Sequence, residues 1–268
     1  IGLATFVALF LDMLIDGWER LRPEFFTQFP SRRASQAGIL SAWIGTTLVM
    51  IVTAVVAVPL GVAAGIYLEE YAPKNWVTDV IEINITNLAG VPSIVYGLLA
   101  LGLFVYAFGL GQSVQTAGLT LALLILPIVI VSTREAIRAI PAMIREGAYA
   151  VGATRWQTVK DHIVPYSMPG ILTGMILAMA RGAGEVAPLM LVGAAKMASE
   201  LPLDGEAPYL HPSRSFMHLG FHIYDLGFQS PDSDAAKPMV FATTLFLIAL
   251  VLVLNLGAII LRDRLRRR

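Results

Sequence analysis

The chain has 268 residues, no cysteine, and 19 basic against 19 acidic residues, so its formal net charge is zero. Hydrophobic residues make up 56% and charged residues 14%, where a soluble domain carries roughly 25% charged. That balance argues against a soluble enzyme and a general nucleic-acid binder. The lack of Cys removes disulfides, thiolate metal ligands and a Cys nucleophile.

A helical membrane span needs about 20 mostly apolar residues. Six segments approach this length. Residues Ile1 to Ile15, apolar apart from Asp12, read as the end of a truncated first span. They lack the basic n-region and the small-residue cleavage site of a signal peptide. Ser41 to Leu68 runs for 28 residues without a charge. Val80 to Phe108 is long and apolar after a polar start at Glu82, Asn84, Thr86 and Asn87. Ala117 to Thr133 is shorter and contains Pro127. Ser167 to Ala195 is apolar except for Arg181 and Glu185, and Met239 to Leu261 carries no charge. Helices rather than a barrel are expected, because no period-2 alternation is present. The expected fold class is therefore an all-α polytopic membrane protein of about six transmembrane helices. It divides into 1–40 (end of the first span and an external loop), a transmembrane domain 41–261, and a basic tail 262–268. Gly61, Gly65, Pro59, Pro92 and Pro169 lie inside these runs; in lipid, small residues allow close helix packing and neighbours can satisfy a kinked backbone.

Lys and Arg favour the cytoplasmic side. The tail holds five Arg, and the connector Arg134 to Pro165 holds four Arg and one Lys. Placing both inside, with Lys74, gives 11 basic residues inside against 7 outside. The N-terminal side and the tail are then cytoplasmic. Two features run against the rule: Arg20, Arg22, Arg32 and Arg33 fall outside, and Glu69 and Glu70 fall inside beside one Lys.

The 134–165 connector is not low-complexity. Apolar residues recur at Ile137, Ile140, Met143 and Ile144, then at Ala148, Tyr149 and Val151, and after Thr154 at Trp156, Val159 and Ile163. This predicts two short amphipathic helices meeting at Gly152, with Thr154 capping the second. Such a pair either lies on the lipid surface or docks on a partner.

Arg181 stands mid-span, where a charge costs roughly 2.5–3.5 kcal/mol. Glu185 follows at i+4, so one helical face would carry both and they could pair. One reading is a salt bridge joining two spans. The favoured reading places Arg181 in the path of an anion, since a guanidinium donates two parallel hydrogen bonds to an oxyanion. Glu82 is expected at an interface, and Asn84 and Asn87 to bond a neighbouring helix. Pro92-Ser93 is expected to kink the third span.

The outer loop 196–237 has three basic and six acidic residues and includes His211, His218 and His222. His218 and His222 have i, i+4 spacing, but no third ligand completes a metal site, so solvated loop histidines are expected. No cofactor is expected. Gly182-Ala-Gly-Glu-Val-Ala187 follows no strand and is not a dinucleotide fingerprint. No Gly-x-x-x-x-Gly-Lys-Ser/Thr or Gly-x-Ser-x-Gly occurs, so ATP hydrolysis by a P-loop and a nucleophile elbow are not expected.

Glu146-Gly-Ala148, Gly152 and Ile163-Val-Pro165 resemble the Glu-Ala-Ala…Gly…Ile-x-x-Pro loop of ATP-binding cassette (ABC) importer permeases, with Gly147 in place of Ala. The resemblance implies a type I importer permease fold. It also implies that this loop is a cytoplasmic coupling helix docking on an ATPase through Glu146, Gly147, Ala148, Gly152 and Pro165. Val58 to Tyr71, Ile81 to Gly97 and Ala180 to Leu189 resemble the PstA family, permease subunits of bacterial phosphate importers. That family implies inorganic phosphate as substrate, with which Arg181 and Glu185 as candidate path residues are consistent. It implies a PstC-like second permease, two PstB-like ATPases and a periplasmic PstS-like phosphate-binding protein as partners, in the bacterial inner membrane. Some members carry Arg-Thr-Thr-Glu where this chain has Val131-Ser-Thr-Arg-Glu135, which raises Arg134 as a substitute for the absent basic residue. The alternatives are a permease for sulfate, molybdate or a phosphonate, or an anion channel.

Overall fold

The computed structural model describes residues 2–31, 37–195, 200–204 and 209–266. Arg32, Arg33, Lys196, Glu206, Arg267 and Arg268, which entered the loop and tail expectations, lie outside the described residues. The helices are α1 (Gly2–Trp18), α2 (Pro23–Thr27), α3 (Leu40–Ile66), α4 (Trp76–Ala89), α5 (Ser93–Ala100), α6 (Val114–Arg138), α7 (Ala142–Ala150), α8 (Arg155–Thr158), α9 (Val164–Ala183), α10 (Ala187–Leu191), α11 (Leu219–Phe228) and α12 (Ser233–Arg266). Wider π-helical turns extend three of these runs, at Tyr67–Tyr71, Leu101–Ala107 and Val159–Ile163. The described residues contain no strand beyond an isolated bridge between Leu203 and Leu210.

All six expected apolar segments are helical, but not all as single spans. Among the described residues four stretches are long and apolar enough to cross a membrane: Leu40–Tyr71, Val114–Arg138, Arg155–Ala183 and Ser233–Arg264. The α1 helix covers 17 residues, just short of the usual span length. The expected third span is not continuous. It breaks between Ala89 and Ser93, and the two pieces are bent at the break. Pro92 lacks the amide that would continue the ladder and biases Val91 away from helix, and Gly90 offers little resistance. The expected fifth span also differs. It starts early, at Arg155, and ends at Ala183 rather than Ala195. Glu185 and Val186 are non-helical, and Pro188 opens the short α10. Pro127 and Pro169, in contrast, are accommodated inside α6 and α9.

The chain divides into two compact units. One comprises 1–52, 93–120 and 183–252; the other comprises 53–92, 121–182 and 253–268. In the first, Phe25, Ile39, Ala42, Met217, Leu219, Met239 and Ala242 form a buried core. Here α11 seats on the start of α3. Leu219 N donates to Thr46 Oγ1 at 2.8 Å, and Thr46 Oγ1 donates in turn to Ala42 O at 2.8 Å. A Cβ on Gly45 would run into the carbonyl oxygen of Met217. On Gly97 of α5 it would come within 2.7 Å of Pro188 Cα in α10.

In the second unit, α3 and α6 pack through glycines. A Cβ on Gly61 would meet Val129 Cγ1 at 2.7 Å, and one on Gly65 would meet Thr133 Cβ at 2.7 Å. Two small residues four apart on one helix let the neighbouring backbone approach. Below this seam Ile137, Ile140 and Ile163 form a buried cluster with Ile66 and Ile144 against it.

Candidate functional site

The expected loop 134–165 is shorter than its sequence pattern suggested. The α6 helix persists to Arg138, and α8 runs through its π turn into α9 without a break. Pro165 therefore sits within a continuous helical run rather than ending a loop. Between these helices α7 carries Arg145, Glu146, Gly147 and Ala148. Ala148 is buried, while Glu146 and Gly147 are exposed. Gly152 turns the chain at φ +85°, a conformation that a residue with a Cβ adopts only with strain. Ala153 N donates to Ala148 O at 3.0 Å, closing the end of α7. Thr154 then opens α8 with a reciprocal capping box, its hydroxyl accepting from Gln157 N while Gln157 Oε1 accepts from Thr154 N. The cap predicted at Thr154 is thus present. Around this turn large apolar groups face outward: Met143 is 77% exposed, Val151 85% and Trp156 64%.

The helix pair is held to its unit by charge. Glu69 and Glu70 lie in the π turn that ends the α3 run. Arg134, whose side chain is 7% exposed, lies 3.3 Å from Glu69 Oε2 and 2.5 Å from Glu82 Oε1. Arg138 Nε donates to both Glu69 oxygens at 2.9 Å. Arg145 Nη2 donates to Glu70 Oε1 at 2.7 Å. The Arg155 guanidinium stacks over the Tyr71 ring at 5.2 Å. Charge-assisted bonds in partly buried surroundings are among the strong ones. Glu69 and Glu70, the two acids that ran against the charge rule, are thus paired with arginines of α6 and α7.

Glu82 accordingly contacts Arg134 of its own chain, and the Arg134 guanidinium is committed to Glu69 and Glu82. Asn84 does not bond a neighbouring helix as expected. Its amide donates to Val80 O at 2.7 Å, within α4, because that carbonyl one turn back is the nearest acceptor.

Arg181 is exposed and lies in the last turn of α9, not at mid-span, where a positive charge suits the carbonyl end of the helix. Glu185 is partly buried in the segment beyond the helix end, and the two residues belong to different units. The helix stops between them, so the two residues do not share one continuous helical face.

The histidines of the outer loop are also corrected. His218 and His222 are buried, not solvated. His218 Nδ1 accepts from Gly220 N at 3.2 Å and caps α11. Burial pushes both imidazoles down to about 4 from their ordinary 6.5, against a smaller opposing pull from Asp225 on His222. His211 instead sits in a polar cluster, its Nε2 3.1 Å from Asp204 Oδ1, with Arg214 Nη1 2.6 Å from Asp204 Oδ2. Among the described residues no group of three or more His, Cys, Asp or Glu could hold a metal ion.

Several apolar spans, together with a capped helix pair clamped to them by ion pairs and carrying an exposed apolar tip, define a multi-pass helical membrane protein with a surface suited to a protein partner. The chain belongs to the family of binding-protein-dependent transport system inner membrane components, which matches residues 57–268. It is 34% identical over 261 residues to the probable ABC transporter permease protein YqgI of Bacillus subtilis, covering 95% of this chain and 88% of that one. It is 41% identical over 157 residues to the phosphate transport system permease protein PstA 1 of Mycobacterium tuberculosis H37Rv, covering 58% of this chain and 51% of that one. The PstA protein of Yersinia pestis is 35% identical over 194 residues, with 70% and 64% coverage. The chain thus spans about half to two thirds of these phosphate-system relatives. Its fold is that of type I ABC importer permeases. A chain of the bacterial alginate ABC transporter, crystallised with an alginate-pentasaccharide-bound periplasmic protein, superposes with TM-score 0.64 at 14% identity over 96% of this chain and 91% of that one. A chain of the inward-facing MetNI methionine transporter gives 0.58 at 17% identity over 85% and 95%. An importer permease of this kind works with an ATPase and a substrate-binding protein.

Proposed function

We propose that this chain is one of two permease subunits of an ATP-driven importer of inorganic phosphate in the bacterial inner membrane, with its tail and the α7–α8 turn on the cytoplasmic side. The domain plan is that of the sequence reading: residues 41–261 form the permease core and 262–268 a basic cytoplasmic tail. The observation that carries the coupling role is the α7–Gly152–α8 element. It is rigidly capped, tied to the ends of α3 and α6, and exposes Met143, Val151 and Trp156. Exposed apolar side chains clustered on a helical turn mark a protein-binding surface. The partner here is an ATPase subunit, contacted through Glu146, Gly147 and Gly152, with Ala148 buried behind them and Pro165 inside the helical run that leads into α9.

Phosphate is supported by the PstA relatives. Arg181 is the residue proposed to meet the anion and Glu185 the one that tunes it. A guanidinium at the open end of α9 presents donors to an oxyanion. The ATPases close on ATP and displace α7, the attached spans move as rigid bodies, and the binding protein delivers phosphate to the outward state; hydrolysis restores the inward one. Such a cycle needs two conformations with different affinities for ATP and for the loaded binding protein.

The test is reconstitution with a second permease, the ATPase and a phosphate-binding protein in proteoliposomes. ATP-driven uptake of labelled phosphate is expected, resistant to excess sulfate, molybdate or phosphonate. Competition by one of those anions would reassign the substrate. Phosphate flux with an ATPase-dead partner would make the chain a channel. Arg181→Ala is expected to abolish uptake without preventing assembly; normal uptake would remove Arg181 from the path.

A further inference from the structure

Arg145 does more than neutralise one acid. Its Nη2 and Nε donate to Glu70 Oε1 at 2.7 and 3.1 Å. Its Nη1 donates to Ile140 O at 3.1 Å and its Nη2 to Ile137 O at 3.2 Å. One guanidinium therefore joins three pieces of chain: α7, the π turn that ends the α3 run, and the carbonyl end of α6. The Glu70 side chain is 8% exposed, so Arg145 is what makes its burial tolerable. The neighbouring Ile144 packs on the Ile66, Ile137, Ile140 and Ile163 cluster. Apolar contact of that kind is non-directional and can slide, whereas the planar fork of an arginine sets direction and register.

We propose that Arg145 is the positioning residue that makes α7 move as one body with the ends of α3 and α6, so that a displacement of α7 reaches two spans at once. This rests on the reading of α7 as the element that docks on the ATPase. Glu70 is the matching anchor on α3. Lysine cannot replace Arg145, because one ammonium cannot reach Glu70 and two carbonyls with the same fork geometry. A tie that only stabilised the fold would, when weakened, lower transport and ATP hydrolysis in parallel. A tie that transmits motion would, when weakened, let hydrolysis continue while transport per ATP falls.

The experiment uses the assembled transporter in proteoliposomes and measures labelled phosphate imported and ATP hydrolysed in the same vesicles. The variants are Arg145→Lys and Glu70→Gln. Docking is read separately by cross-linking a Val151→Cys chain to the ATPase, with no other cysteine in this chain to compete. The expected result is that cross-linking and ATP hydrolysis persist while phosphate per ATP falls by about tenfold, the factor for losing one charge-assisted bond. If cross-linking persists and phosphate per ATP stays within about twofold of the unaltered chain, the positioning role is overturned while the docking reading stands; the same holds if both rates fall in proportion. If Val151→Cys does not cross-link in an otherwise unaltered chain, the docking reading fails and this proposal falls with it. Should Arg145→Lys fail to assemble, the near-isosteric Glu70→Gln gives the same ratio and decides the matter.

Discussion

Arg134 illustrates how much a single side chain holds in this protein. Its guanidinium separates the carboxylates of Glu69 and Glu82 and is nearly inaccessible. Removing one partner of a buried ion pair strands the other charge, typically at a cost of about 3–5 kcal/mol. Arg134→Leu is therefore expected to lower the unfolding temperature in detergent clearly, and Glu82→Gln by less, because Glu69 remains to pair with Arg134. Equal melting of Arg134→Leu and the unaltered chain would show the pair to be dispensable. The buried histidines predict a pH dependence. His218 and His222 bind protons near pH 4 when folded and near 6.5 when exposed. Between these values the opened form takes up more protons, so acid favours opening. Stability of the α11 region should be level above about pH 7 and fall progressively from about 6.5 to 4, by on the order of a few kcal/mol in all. Hydrogen exchange of α11 amides at pH 7 and pH 5 measures this, and His222→Phe should weaken the dependence. Sequence could not show this burial. An i, i+4 histidine pair in an acidic loop looks solvated until α11 is seen seated on α3.

At the scale of elements, the α7–Gly152–α8 turn was legible in advance. Apolar period, a glycine and a Thr cap were all local signals, and local backbone rules determine caps and turns. Gly152→Val should strain the φ +85° turn. Val151→Asp and Trp156→Asp should leave the fold intact yet reduce co-purification of the ATPase at least several-fold, since exposed apolar anchors carry much of an interface's energy. Undiminished ATPase binding by both charged variants would dissociate this tip from docking. The helix breaks after Ala89 and Ala183 were less legible. Hydropathy stays high across Gly90-Val-Pro92 and across Gly184 to Leu191, and an averaged apolar signal does not register a missing hydrogen bond. Pro92 was readable as a kink, but not as the end of a helix. Likewise Arg181 read as a mid-span charge because the residues after it remain apolar, when it in fact closes α9.

At the scale of the whole molecule, Gly61 and Gly65 bring α3 against α6, and the arginine network then fastens the ends of the same two helices to α7. Gly65→Leu should force Thr133 away and disrupt assembly, measured as loss of monodisperse complex in detergent; a normal elution profile would show that the seam tolerates a side chain. Membrane residency, helical class, family and the position of the α7–Gly152–α8 turn were determined by the amino-acid sequence alone, because hydropathy, helical period and turn chemistry are properties of each segment by itself. Which acids meet which arginines, where helices stop, and whether a histidine is wet or dry were decided only by the tertiary structure. These depend on distances between residues far apart in the chain, 75 positions for Arg145 and Glu70 and 173 for the contact that seats α11 on α3, and a Coulombic or desolvation energy is set by those distances and not by the order of the letters.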